Sequence, residues 1–315
     1  MTTTSRHLTS PSSNDNDNHD KHRMLEVEQK FIPPVDLHQR LTTAGFVPTQ
    51  SIELVDWYWD VQRQKNHETD DVTLQDDFPL IDKGCWFRCR QRIVNEIKDN
   101  KDNDDDVVWE LKRDVRLLKM MDDHNDCTMT TNYQSESRGA SVYEETQGDK
   151  AITIVQSIIE QTKTNNNPEE STKITTTTTT PTVYQGHNVP QLPATLLHCP
   201  LTPFARIHSK RTSYAMTADT LDKDHPFGDL TVDVDATIGY DHAIGEVETL
   251  VREESQVSQA RSKINDFLQD VVDGANEEDT HSTKTATNAA KGKLELYLEL
   301  FQPALFTQLV QRGLL

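Results

Sequence analysis

Apolar and charged residues alternate along 24–32, MLEVEQKFI, which sets Val27 and Phe31 against Glu26, Glu28 and Lys30. A period of two is that of a strand with one packed face and one polar face. Similar patterning predicts strands at 52–60, 85–93, 107–115, 204–217, 229–235, 243–251 and 293–299, for a total of eight. A helix is predicted from the Pro33-Pro34 start through Leu37, Leu41 and Ala44, with Gly45 as its stop. Further helices are predicted near 149–160, 255–271 and 302–311. In the second of these, Val257, Ala260, Ile264, Phe267 and Leu268 fall at helical spacing behind Ser255 as the N-cap. Strands succeed one another with short connections in places, as between Gly239 and Gly245, which favours antiparallel pairing.

Composition changes this picture by confining the core to part of the chain. Only 34% of the 315 residues are hydrophobic, low for a chain packed throughout. The deficit is local: 98–106 reads KDNKDNDDD and Thr175–Thr180 is an unbroken threonine run. Such segments bury too little surface to offset chain entropy. The expected organisation is a disordered tail at 1–22 and a single domain at 23–315. Disordered insertions are expected near 61–82, 98–106, 116–142, 160–190 and 273–292. The N-terminus has no apolar signal region, and no run of 18 apolar residues occurs. Four cysteines without paired spacing make neither a disulfide framework nor a structural zinc site, so a reducing cytoplasm is expected. Asp and Glu outnumber Lys and Arg by 52 to 32, which argues against nucleic-acid or anionic-membrane partners; a monomer is expected.

The charges fall two apart on strand after strand. Glu26, Glu28 and Lys30 share a face, as do Arg88 and Arg90, Glu110 and Lys112, Arg211 and Ser213, Asp233 and Asp235, Glu246 and Glu248, and Lys293 and Glu295. An antiparallel sheet with one face in water also alternates in this way. Here, however, the polar faces hold mainly carboxylates and arginines. If the sheet closes, the charged face becomes the lumen and helices cover the outside. Converging carboxylates can hold Mg²⁺ or Mn²⁺ while Arg and Lys bind phosphate oxygens.

Glu26-Val27-Glu28-Gln29-Lys30 resembles the E-x-E-x-K signature of the CYTH, or triphosphate tunnel metalloenzyme, superfamily. In the same order follow Trp86-Phe87-Arg88-Cys89-Arg90, Trp109-Glu110-Leu111-Lys112, Lys210-Arg211, Val232-Asp233-Val234-Asp235, Gly245-Glu246-Val247-Glu248 and Lys293-Leu294. The set is most similar to the thiamine-triphosphatase branch. The resemblance implies a mainly β (α+β) fold: an eight-stranded antiparallel tunnel with surrounding helices, hydrolysing a terminal phosphoanhydride with Mg²⁺. It further implies that Glu26, Glu28, Asp233, Glu246 and Glu248 serve the metal, and that Lys30, Arg88, Arg90, Lys112, Arg211 and Lys293 hold the triphosphate.

The substrate implied is thiamine triphosphate, a small molecule. Inorganic tripolyphosphate hydrolysis, a class IV-type adenylyl cyclase and a non-catalytic polyphosphate-binding module are the alternatives. Trp86, two residues before Arg88, is either a stacking platform for a thiazolium cation or a core residue. Glu295 is expected to share a face with Lys293 and could pair with it, and Cys89 reads as a buried thiol. His22, His67, His124, His187, His225 and His281 lie in polar stretches and read as solvated, while His208 lies off the face of Arg211.

Overall fold

A computed structural model of the chain describes residues 24–61, 78–93, 107–122, 140–165, 188–217, 225–274 and 290–315, without side chains for 119–122 and 163–165. The expected tail, most of the expected insertions, and His22, His67, His124, His187 and His281 lie outside the described residues.

The strands are β1 (Leu25–Phe31), β2 (Phe46–Val61), β3 (Cys85–Ile93), β4 (Val107–Asp114), β5 (Ser141–Gln147), β6 (Leu201–Met216), β7 (Thr231–Thr237) and β8 (Ala243–Val251). They form a closed antiparallel barrel in the order β1-β5-β4-β3-β2-β6-β7-β8, with β8 returning to β1. Closure leaves no unpaired edge and commits each strand to one inner and one outer face. The helices are α1 (Leu37–Thr43), α2 (Val115–Asp122), α3 (Gly148–Asn165), α4 (Val257–Phe267), α5 (Lys293–Phe301) and α6 (Pro303–Gln311).

Two expectations about elements are overturned, and they offset each other in the strand count. Residues 293–299 alternate as a strand does, yet they form α5. Lys, Leu and Glu are good helix formers, and Glu295 reaches back to the Gly292 amide at 3.3 Å, closing the first turn. The eighth strand is instead β5, whose start lies inside the expected 116–142 insertion, as does nearly all of α2. Of the outward residues of β5, Val142 is apolar but Glu144 is a carboxylate paired with Arg113 at 2.7 Å, so the apolar alternation fades. Ser255 is not the cap of α4 either. It sits in a 3-10 turn at 254–256, where Gln256 accepts the Glu253 amide at 3.1 Å. Gly45 does end α1, its φ of 88° giving the left-handed exit that a side chain disfavours.

The main apolar core lies outside the barrel. Val27, Phe31, Val232 and Val247 pack against Leu37 and Leu41 of α1 and Ala260, Ile264 and Phe267 of α4. On the other flank, Trp57, Trp59, Phe87, Trp109 and Leu111 pack against Ala151, Val155 and Ile159 of α3. Cys85 and Cys89 are buried in that flank as free thiols, in line with the small-hydrophobe role expected for Cys89. A third cluster joins Tyr58, Ala205 and Ile207 to Tyr297 and Leu298 of α5 and Leu305 and Leu309 of α6. Tyr58 and Ala205 pair in register on the inner face, so the last two helices cover an apolar part of the barrel interior.

Candidate active site in the barrel lumen

Cross-strand register sets Glu28 opposite Glu248, Lys30 opposite Glu246, Asp233 opposite Glu246 and Arg211 opposite Asp235. On the other wall Arg88 faces Glu110, Arg90 faces Asp56 and Lys112 faces Glu145. The even and odd positions that alternate in the sequence therefore meet as one inner ring. Every residue expected to serve the metal or the phosphates lies on this ring, except that Lys293 enters it from the first turn of α5.

Glu26 and Glu28 are 5% and 1% exposed, and with Glu248 they present ligand oxygens all within 4.8 Å of one another. Lys112 lies 3.0 Å from Glu26, also pairs with Glu28, and sits over the Tyr143 ring at 4.5 Å. Lys30 pairs with Glu28 and with Glu246 at 3.2 Å. Asp233 and Glu246 turn toward Arg211 rather than joining the close carboxylate group, Glu246 at 3.5 Å. Lys293 is 2.8 Å from Asp235 and 3.6 Å from Asp56, so the expected Glu295 partnership does not occur; Glu295 is used as the helix cap.

These contacts split the carboxylates electrostatically. Burial pushes Glu26 well above the usual carboxylate range against the pull of Lys112, helped by Glu28 and Glu248. Burial would raise Glu28 too, but Lys112 and Lys30 hold it well below that range. Glu248 is raised by burial and by Asp233. Asp56 and Asp235 are held low in spite of burial, the first by Arg90 and Lys293, the second by Lys293 and Arg211. Among the described residues, Glu26, Glu28, Asp56, Glu110, Glu145, Asp233, Asp235, Glu246 and Glu248 are set against the cations Lys30, Arg88, Arg90, Lys112, Arg211 and Lys293. Such an excess of buried acid is stable only with bound protons or added cations.

The donor set fits a divalent metal. It is made of hard oxygen ligands, and one buried oxygen within it, Oε2 of Glu26, has no hydrogen-bond donor, as is also true of Oδ1 of Asp233 nearby on the ring. Glu26, Glu28 and Glu248 would hold a Mg²⁺ or Mn²⁺ ion, which would take up the free lone pairs of Glu26.

Four of these inner residues had no assigned role in the sequence. Asp56 was hidden among Trp57, Tyr58 and Trp59; its even position, shared with Tyr58, was the available signal. Glu110 and Asp235 share faces with Lys112 and Asp233 and could have been found from that spacing. Glu145 lies on the unrecognised strand β5. Trp86 lies half-buried beside the cluster that joins the inner face to α5 and α6. His208 points outward, with Nε2 2.6 Å from Glu53.

No protein-family model and no curated relative matches the chain. Among solved structures it is similar to the PH1819 protein of Pyrococcus horikoshii, at 13% identity over 78% of this chain and 89% of that one, with a TM-score of 0.37. It is also similar to HpAC1 of Hippeastrum, described as having a dominant triphosphatase activity, at 16% identity over 78% and 86% with a TM-score of 0.36. A third is the Mediator head module of Schizosaccharomyces pombe, at 9% identity over 79% and 94% with a TM-score of 0.35.

Proposed function

We propose that the chain is a CYTH-superfamily hydrolase that removes the terminal phosphate of a triphosphate with a divalent metal, and that its substrate is thiamine triphosphate. One observation carries this: a close carboxylate group with a donor-free buried oxygen lies in the same lumen as six cationic side chains. A pure anion binder has little use for so many acids, and a pure cation binder has none for three arginines.

In this proposal Glu26, Glu28 and Glu248 hold the metal, with Asp233 and Glu246 beside them. The ion, when bound, supplies charge neutralisation and a more acidic water. Lys30, Arg88, Arg90, Lys112, Arg211 and Lys293 bind and orient the phosphate oxygens; arginine offers a planar fork and lysine a point charge. Enclosure in the barrel excludes bulk water and strengthens each of these contacts. Trp86 stands on the inner face two residues from Arg88. A thiazolium cation stacked on it would gain about 0.5–2 kcal/mol. Residues 23–315 act in this proposal as one domain, monomeric and cytoplasmic. Among the described residues, no helix is long and apolar enough to cross a membrane.

The test is an assay of the purified chain with Mg²⁺ and equal concentrations of thiamine triphosphate, tripolyphosphate and ATP. Phosphate release from thiamine triphosphate, with Trp86→Ala raising KM for that substrate alone, is the expected result. Release from tripolyphosphate only, or cyclic AMP from ATP, moves the assignment to the corresponding alternative. No product from any substrate would falsify the enzyme.

A further inference from the structure

The three lumen arginines share a contact pattern that anion binding alone does not require. Each donates its Nε–H to a carboxylate directly opposite it on the neighbouring strand. Arg88 Nε lies 2.5 Å from Glu110 of β4, Arg90 Nε 2.8 Å from Asp56 of β2 and Arg211 Nε 3.0 Å from Asp235 of β7. Arg90 and Arg211 add a second bond through Nη2, at 3.2 and 2.7 Å, so the Nε/Nη2 edge forms a closed fork on the carboxylate. Lys293 spans the two forks, 2.8 Å from Asp235 and 3.6 Å from Asp56. The carboxylates are among the most enclosed in the molecule, at 4%, 0% and 1% exposure for Glu110, Asp56 and Asp235. None of the three belongs to the close group at Glu26, Glu28 and Glu248.

A bidentate fork fixes the plane of a guanidinium, and the Nη1 ends carry further carboxylate contacts, Arg211 bonding to Asp233 and Arg90 lying 3.5 Å from Glu110. Building three buried Arg–carboxylate pairs is not a strong route to stability, because desolvation consumes most of the Coulomb gain. Their repetition at the same edge of each arginine is accounted for by orientation. We infer that Glu110, Asp56 and Asp235 are positioning residues. They hold Arg88, Arg90 and Arg211 by the Nε edge, so that the guanidinium planes are already fixed when a polyphosphate arrives. This rests on the hydrolase proposal for the identity of the ligand.

The test compares the full chain with E110Q, D56N and D235N, using Mg²⁺ and inorganic tripolyphosphate. Each variant removes a negative charge, so ground-state attraction for a polyanion is not weakened, while the transition state loses its aligned donors. The expected split is a fall in kcat of about ten-fold or more with KM within about three-fold of the parent. A variant that melts lower but keeps the parent's kcat would overturn the inference, since that is the signature of scaffolding. A second measurement needs neither folding of the variants nor turnover: the arginine Nε–Hε NMR resonances of the parent chain, titrated with tripolyphosphate. They are expected to stay at their carboxylate-bonded positions as ligand arrives. Displacement of the carboxylates, seen as all three resonances shifting, would overturn the inference. Loss of the hydrolase proposal alone would appear as an inactive parent chain whose Nε resonances still hold.

Discussion

Asp60 is fully buried at the end of β2 and accepts amide hydrogen bonds from Val61 at 2.7 Å, Leu80 at 3.1 Å and Ile81 at 3.0 Å. One side chain thus anchors the strand to the 3-10 turn Ile81–Lys83, which Gly84 ends with a left-handed φ of 63°. Burial outweighs those bonds and pushes the Asp60 carboxyl up to about 8. An exposed aspartate titrates near about 3.9, so between the two values the folded chain binds the proton and the unfolded chain does not. The stabilisation is therefore complete below about pH 4 and is lost as pH rises toward about 8. Subtracting the urea-unfolding free energies of Asp60→Asn from those of the parent chain across pH 4–9 should give a difference that falls over this window. A flat difference would refute the assignment. Lys293 makes a related point about residue-scale forces. A cation on the first turn of a helix opposes the macrodipole, yet Lys293 is only 7% exposed because Asp235 and Asp56 receive it.

At the scale of elements, β1 and β8 illustrate how closely the outer faces are fitted. Gly245 stands opposite Phe31, and a methyl group added at Gly245 would fall on the Phe31 ring. The signature strand β1 and the acidic strand β8 can approach this closely because β8 has no side chain there. Gly245→Ala should destabilise the chain by about 1–3 kcal/mol through overpacking, measurable as a lower urea midpoint at unchanged slope. Stability equal to the parent would mean that Phe31 has room to turn aside. Helices α1, α3 and α4 are needed on this outer face because the polar residues are turned inward, leaving the aromatic and β-branched ones to be covered.

The whole molecule is a barrel with its charge ring inside and its main core outside, and under the proposed function that inversion would make the lumen responsive to cations. With Glu26 and Glu248 raised by burial and by neighbouring carboxylates, protons occupy part of the acidic excess until a metal replaces them. Mn²⁺ affinity should therefore rise with pH through the neutral range. Calorimetry in two buffers of different ionisation heat should report net proton release on binding. Affinity independent of pH, with no protons released, would contradict the charge balance drawn for the lumen. A site built only in the folded barrel predicts that saturating Mn²⁺ also raises the melting temperature.

Much of the site could be inferred from spacing because a strand's two faces are a local property: once Glu26, Glu28 and Lys30 alternate with Val27 and Phe31, their common side follows from backbone geometry alone. The same holds for Arg88 with Arg90, Asp233 with Asp235 and Glu246 with Glu248. Which strands adjoin was not local. The pairing of β1 with β8 joins segments far apart in the chain and brings Glu248 to Glu26 and Glu28, and the pairing of β2 with β3 sets Asp56 against Arg90. Residues 293–299 carry a strand's alternation but fold as a helix, because β5 had already closed the ring and no ladder remained for them. Sequence by itself determined which residues are charged and which share a face. Tertiary structure decided which carboxylates meet as one close group and which pair with the arginines, because cross-strand register and a helix end, not periodicity, bring those oxygens and nitrogens together.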